Sequence, residues 1–153
     1  MELILWRHAE AHLLREGQED IQRSLTTKGE RQAKRMAAWL NQRLPESTRV
    51  LVSPAVRTQQ TAQALERRFK TVVSLSPECS ADDLLKAARW PDASEPVLIV
   101  GHQPTLGIVA ARLLAGDDQP WSVKKGAVWW LARRDREGVA QVTLQAVQGP
   151  DKI

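Results

Sequence analysis

Two histidines and two arginines stand at places where a chain can do chemistry. Arg7 and His8 directly follow the short apolar run Leu3-Ile4-Leu5-Trp6, and His102 follows the apolar run Val97-Leu98-Ile99-Val100 through Gly101. Arg57 lies three residues beyond Pro54, itself just after the run Arg49-Val50-Leu51-Val52-Ser53. These residue types suit phosphoryl transfer. A guanidinium can hold two phosphate oxygens at once. A neutral imidazole is a good nucleophile near pH 7 and forms covalent intermediates. A second histidine, if protonated, can stabilise charge on the same oxygens.

Three elements must bring these groups together. Each apolar run reads as a β-strand, and each is followed by a polar turn and a helical pattern. Thr27 to Glu30 fits a capping box, and the helix after it carries Ala33, Met36, Ala37, Leu40 and Leu44 on one stripe until Pro45. Pro54, a favoured first helical residue, opens a second helix read as running to about Phe69. Val72 to Leu75 reads as a third strand, and residues 81–89 as a short helix closed by Pro91. A helix after Pro104 places Leu106, Val109, Ala110, Leu113 and Leu114 inward. Residues 127–134 and 139–147, rich in Val and Trp, read as a strand pair. Residues 9–26 are polar and read as a loop.

Strands alternating with helices indicate an α/β three-layer sandwich with a mostly parallel central sheet, one domain over residues 1–153. In such a sheet ligands bind outside the carboxyl ends of the strands. Arg7, His8, Arg57 and His102 are therefore expected at one edge. Helix N-termini near Pro54 and Pro104 would add backbone amides there.

Composition narrows the field. With 153 residues, 42% hydrophobic and 26% charged, the chain is ordinary globular material for one domain. The single cysteine, Cys79, closes no intrachain disulfide, and a reducing cytosol is the expected home. Met1 to Trp6 lacks the basic start and apolar length of a signal peptide, and no run is long enough for a membrane span. The net charge of +4 is carried partly by scattered pairs, Arg67-Arg68, Lys124-Lys125 and Arg133-Arg134, without an aromatic platform. That pattern reads as solvated surface and argues against nucleic acid. His8 and His12 have the spacing of a metal pair, but Glu does not follow the first histidine as the zinc motif requires, and no third ligand is evident, so no metal is expected. Cys79 is no phosphatase nucleophile of the Cys-x5-Arg type, because position 85 is Leu85. Trp129 and Trp130 are adjacent on a strand, so one faces each side, with core packing the default.

The polar turns also carry a resemblance. Arg7-His8-Ala9-Glu10 is similar to the Arg-His-Gly signature of the histidine phosphatase (phosphoglycerate mutase-like) superfamily, and Leu25-Thr26-Thr27-Lys28-Gly29-Glu30-Arg31-Gln32-Ala33 to its Leu-Thr-x-x-Gly-x-x-Gln-Ala segment. Ser53-Pro54-Ala55-Val56-Arg57 and Val100-Gly101-His102-Gln103-Pro104 resemble its two remaining motifs. All four are in order and span residues 2 to about 115. The small size, Arg23-x-Leu25-Thr26 and the run from Gly101 to Gly107 look most like the SixA-like branch. The resemblance implies a cofactor-independent phosphatase of protein phosphohistidine that releases inorganic phosphate. It implies His8 as the phosphorylated nucleophile, with phosphate contacts from Arg7, Arg57 and His102, and a further contact from Arg23. Ala9 departs from the usual glycine, and its methyl constrains the backbone beside His8.

One residue bears on the substrate. Wider members of the superfamily carry a carboxylic general acid after the third strand, a place to which Glu78 aligns loosely; otherwise Glu78 is an exposed loop carboxylate. An alkyl phosphate expels a poor leaving group and calls for such an acid. Phosphohistidine has a weaker P–N bond and a better leaving group. The short inserts between motifs leave an open site, as a protein substrate requires. A small-molecule phosphomonoesterase with Glu78 as acid and a non-catalytic phosphate or phosphoprotein binding module are the competing readings.

Overall fold

Alternation along the first strand sets the layers. In the computed structural model, which describes residues 1–153, β1 (Glu2–Arg7) is central and buries both of its faces. Leu3 and Leu5 pack on one side with Leu51, Val97 and Ile99; Ile4 and Trp6 pack on the other with Val50, Val52, Leu98 and Val100. Two separate hydrophobic layers therefore lie above and below one sheet, as strands buried on both faces require.

Helices cover each layer. α1 (Thr27–Asn41) buries Met36, Ala37 and Leu40, and α2 (Val56–Gln63) buries Ala62, against the Ile4–Trp6 face. α3 (Ala81–Ala87) and α4 (Thr105–Ala115) bring Leu84, Leu106, Val109 and Ala110 to the Leu3–Leu5 face. With β2 (Arg49–Val52), β3 (Lys70–Thr71), β4 (Val97–Gly101), β5 (Val128–Arg136) and β6 (Val139–Gln148), the sheet order is β3-β2-β4-β1-β5-β6. The pairings from β3 through β1 are parallel, and β5 and β6 add antiparallel to the β1 edge. The expected α/β sandwich with a mostly parallel central sheet is what the chain adopts.

Local boundaries differ from expectation in informative ways. The cap of α1 is Thr26, not Thr27: its hydroxyl accepts from the Gly29 amide at 2.9 Å. The second helix stops at Gln63 rather than Phe69. Glu66 takes a left-handed φ of 55°, and Asn41 Nδ2 donates to the Leu65 carbonyl at 2.9 Å, so a tertiary partner takes the carbonyl a longer helix would use. Leu65 stays buried, which is why the apolar spacing suggested more helix. The third strand pairs through Lys70 and Thr71, while Val73 to Leu75 turn as a short 3-10 helix that buries only Leu75. The C-terminal pair is a two-residue hairpin turning at Glu137 and Gly138, both at positive φ, so its strands reach further than the polar residues suggested. Trp130 packs edge-on to Trp39 and Trp129 lies beside Trp121, one on each side of the sheet.

Candidate active site

Parallel register delivers the chemistry to one edge. Arg7 pairs with Gly101, the His8 amide donates to the Gly101 carbonyl at 3.2 Å, and the Ser53 amide donates to the Val100 carbonyl at 3.2 Å. The carboxyl ends of β2, β4 and β1 are spatial neighbours, so Ser53, His102 and His8 follow on adjacent strands. The imidazoles of His8 and His102 have centroids 5.5 Å apart. His8, His102 and Arg57 retain only 6%, 4% and 3% exposure.

Hydrogen bonds assign the tautomers. His8 Nδ1 is 2.7 Å from the Ala9 carbonyl, which can only accept. Nδ1 therefore carries the proton and Nε2 the lone pair of the neutral ring. His102 Nε2 is 2.7 Å from Ser53 Oγ, which accepts from the Ala55 amide at 3.3 Å and has no acceptor for its own hydrogen other than Nε2. Ser53 donates its hydroxyl to Nε2, and the proton of His102 is left on Nδ1, a buried donor without a partner.

Both rings are neutral in the free protein. Burial pushes His8 down to about 4; its bond to Ala9 opposes this, while Arg57, Arg7 and Arg23 add to it. Burial, then Arg57 and His8, push His102 down to about 3. The expectation that His102 works as a protonated imidazolium is thus corrected for the free state: the ring is neutral, and its Nδ1–H is a donor still without an acceptor.

The arginines are held from behind. Arg7 Nη1 donates to the Val123 carbonyl at 2.9 Å, leaving Nε buried and unpartnered. Arg57 Nη1 and Nη2 reach the Asp20 carbonyl and carboxylate at 2.8 and 2.9 Å, and its Nε too is buried without a partner. Arg23 donates from Nε to the same carboxylate at 2.9 Å and from Nη1 to the His12 carbonyl at 2.9 Å. Buried donors without acceptors are rare in native proteins. Three of them, on Arg7, Arg57 and His102, belong to the cluster around His8.

The remaining motif residues are scaffolding for these four. Thr61 accepts from the Ala9 amide at 3.1 Å and donates to the Arg57 carbonyl at 2.7 Å, tying the turn after His8 to α2. Ala9 sits fully buried with Leu25 and Ala33, and its φ is not positive, so the methyl fits where a glycine was expected. Gly29 faces the Glu10 carbonyl so closely that a side chain would collide with it. Gly107 does the same against the Trp121 carbonyl, which also accepts from Gln103 Nε2 at 2.8 Å. Gln103 and Gly107 thereby seat the segment that supplies Val123 to Arg7.

Asp20 was not visible in the sequence, where it is one of several acids in the polar stretch 9–26; only the fold singles it out by placing it on Arg57. Glu78 is exposed and makes no hydrogen bond to the histidines or arginines. It precedes Cys79, whose carbonyl accepts from Thr105 Oγ1 at 2.7 Å at the start of α4. Burial pushes the Cys79 thiol up. The larger cavities lie elsewhere: one of about 560 Å³ is lined mainly by α1 and α2 residues, another of about 460 Å³ by Arg134, Arg136 and Gln141 among others.

Comparison with known proteins shows the family. Residues 3–80 match the model of the histidine phosphatase superfamily (branch 1). The chain is 32% identical over 129 residues to the phosphohistidine phosphatase SixA of Escherichia coli (strain K12), covering 78% of each protein. It is 32% identical over 129 residues to the SixA homolog of Haemophilus influenzae, covering 74% of this chain and 77% of that one. A solved structure of the protein histidine phosphatase SixA complexed with tungstate superposes with a TM-score of 0.76 at 26% identity, over 99% of this chain and 98% of that one. The chain belongs to the histidine phosphatase superfamily, as a SixA-like member that uses a histidine nucleophile.

Proposed function

We propose that this protein removes the phosphoryl group from a phosphohistidine on another protein, with His8 as the nucleophile. The observation that carries the reading is the set of buried nitrogens without partners, Arg7 Nε, Arg57 Nε and His102 Nδ1, around the free Nε2 of His8. Each is a donor, and a phosphoryl group is a cluster of acceptors.

His8 Nε2 attacks phosphorus in line. A P–N bond forms to His8 as the P–N bond to the substrate imidazole breaks, and the departing ring takes a proton from water. Arg7, Arg57 and Arg23 hold the equatorial oxygens, and His102 Nδ1 donates to one of them. Water then attacks phosphorus, the bond to His8 breaks, and inorganic phosphate leaves with His8 regenerated. Positioning and fixed charge supply most of such a reaction.

A protein substrate fits an active-site edge that the larger cavities do not reach, and a phosphohistidine fits a site whose carboxylate, Asp20, is paired as an anion with Arg23 and Arg57 rather than held to protonate a leaving alcohol. SixA relatives point the same way. The test is phosphate release from a phosphohistidine-carrying domain beside a panel of small phosphomonoesters, with His8→Ala as control. Release from phosphohistidine that vanishes in the variant, with an acid-labile, alkali-stable label on His8, is expected. Release from small esters alone would make it a metabolite phosphatase. Binding of tungstate without turnover on any substrate would make it a phosphate sensor.

A further inference from the structure

Asp20 is bonded to two arginines of the clamp, and on Arg57 it takes the two terminal nitrogens and leaves Nε unpartnered. One carboxylate oxygen accepts from Arg23 Nε and the other from Arg57 Nη2, each at 2.9 Å, while the Asp20 carbonyl accepts from Arg57 Nη1. The residue belongs to a single 3-10 turn (Asp20–Gln22) in the 9–26 segment and keeps about half of its side chain exposed. No hydrophobic packing explains it: the turn buries no residue. Its only side-chain partners are the two arginines.

Charge counting gives this a consequence. With both histidines neutral, Arg7, Arg23 and Arg57 contribute three positive charges and Asp20 removes one. The net charge of two matches the two negative charges of a bound phosphoryl group or of released phosphate. Without Asp20 the same arginines would present three positive charges and attract free phosphate more strongly. Binding that is equally strong for the ground state and the transition state does not speed turnover.

We propose that Asp20 is a resident counter-anion of the phosphoryl site, which weakens the site's hold on free phosphate so that product leaves. The proposal rests on the reading that Arg57 and Arg23 contact the phosphoryl group. Asp20 acts through them as a positioning residue: it keeps both guanidiniums gathered when no phosphoryl group is bound, and it lowers the field they present when one is. A strut without electrostatic effect would behave oppositely, because its loss would scatter the arginines and weaken binding.

The experiment is calorimetric titration of the full chain with inorganic phosphate and with tungstate at low and high salt. Wild type, Asp20→Asn, Asp20→Ser and Asp20→Glu are compared, with melting curves to confirm folding. The imidazole proton signals of His8 and His102 report that the anion sits at the site. Removing one negative charge a few ångströms from a dianion in a water-like medium should tighten binding about tenfold. Asp20→Asn and Asp20→Ser are expected to show that gain at low salt and to lose most of it at high salt, where screening is strong. Asp20→Glu, which keeps the charge, should stay close to wild type. Product inhibition of turnover by phosphate should tighten in parallel. Charge-removing variants that fold and bind either anion as wild type does, or more weakly, would overturn the proposal and make Asp20 a strut. Two charge-removing variants keep the comparison standing if one folds poorly. A wild type whose His8 and His102 signals respond to neither anion would overturn the phosphate-site reading itself.

Discussion

Ser53 and His102 leave neighbouring strands, 49 residues apart in the chain, and meet through a bond of 2.7 Å between Oγ and Nε2. That bond decides which nitrogen of His102 keeps its proton, and so whether the ring meets a phosphoryl oxygen as donor or acceptor. Ser53→Ala should leave Nε2 buried without a partner, a cost of about 1–3 kcal/mol. It should also free the ring to change tautomer. We expect a melting temperature several degrees lower and turnover roughly tenfold lower, from that range of energies. Unchanged turnover in a folded variant would remove Ser53 from the mechanism.

The histidines set a pH signature. Both fold neutral, with values of about 4 for His8 and about 3 for His102, below the ordinary histidine value in the unfolded chain. The unfolded state therefore binds more protons between the two limits. Stability from these groups is complete above the unfolded pKa near 6.5 and is lost progressively as pH falls toward 4 and then 3. Denaturant melts should weaken from pH 7 to pH 5, with a shallower slope in His102→Gln. Imidazole signals of His8 and His102 should not titrate between pH 8 and pH 5.5; a midpoint near 6.5 for either would refute the neutral, desolvated state.

Gly107 separates packing from propensity. Alanine is the better helix former by about 1 kcal/mol. Yet a methyl at Gly107 in α4 would run into the Trp121 carbonyl, a backbone atom that cannot swing away. Gly107→Ala should destabilise by about 1–3 kcal/mol, as overpacking does. Because Gln103 and Gly107 seat the segment that presents Val123 to Arg7, tungstate affinity should fall as well. Calorimetry and a melting curve check both; a stabilised variant would show that the segment yields.

Glu78 tests the substrate class. It is exposed and bonded to none of the histidines or arginines at the strand ends. Glu78→Gln should leave turnover on phosphohistidine within about twofold of wild type, since an imidazole leaving group needs little help from a positioned acid. A large loss on alkyl phosphates with none on phosphohistidine would assign the carboxyl to ester chemistry.

Much of this was legible in the residues. Apolar runs that end in Arg7-His8, Ser53-Pro54 and Gly101-His102 name the strands, and a parallel sheet puts strand ends at one edge, so convergence followed from periodicity and topology alone. Burial periodicity also named the core faces of α1 and α4, because a helix stripe is a local property of spacing. What tertiary structure decided is whatever depends on a partner far away in the chain. Asn41 ended α2 early by taking the Leu65 carbonyl, Ser53 and Ala9 set the histidine tautomers, and burial beside Arg57 and Arg7 made both rings neutral. Asp20 is the clearest case. Among the acids of a polar loop nothing distinguishes it, since a charge acquires meaning only from the charges it is folded against.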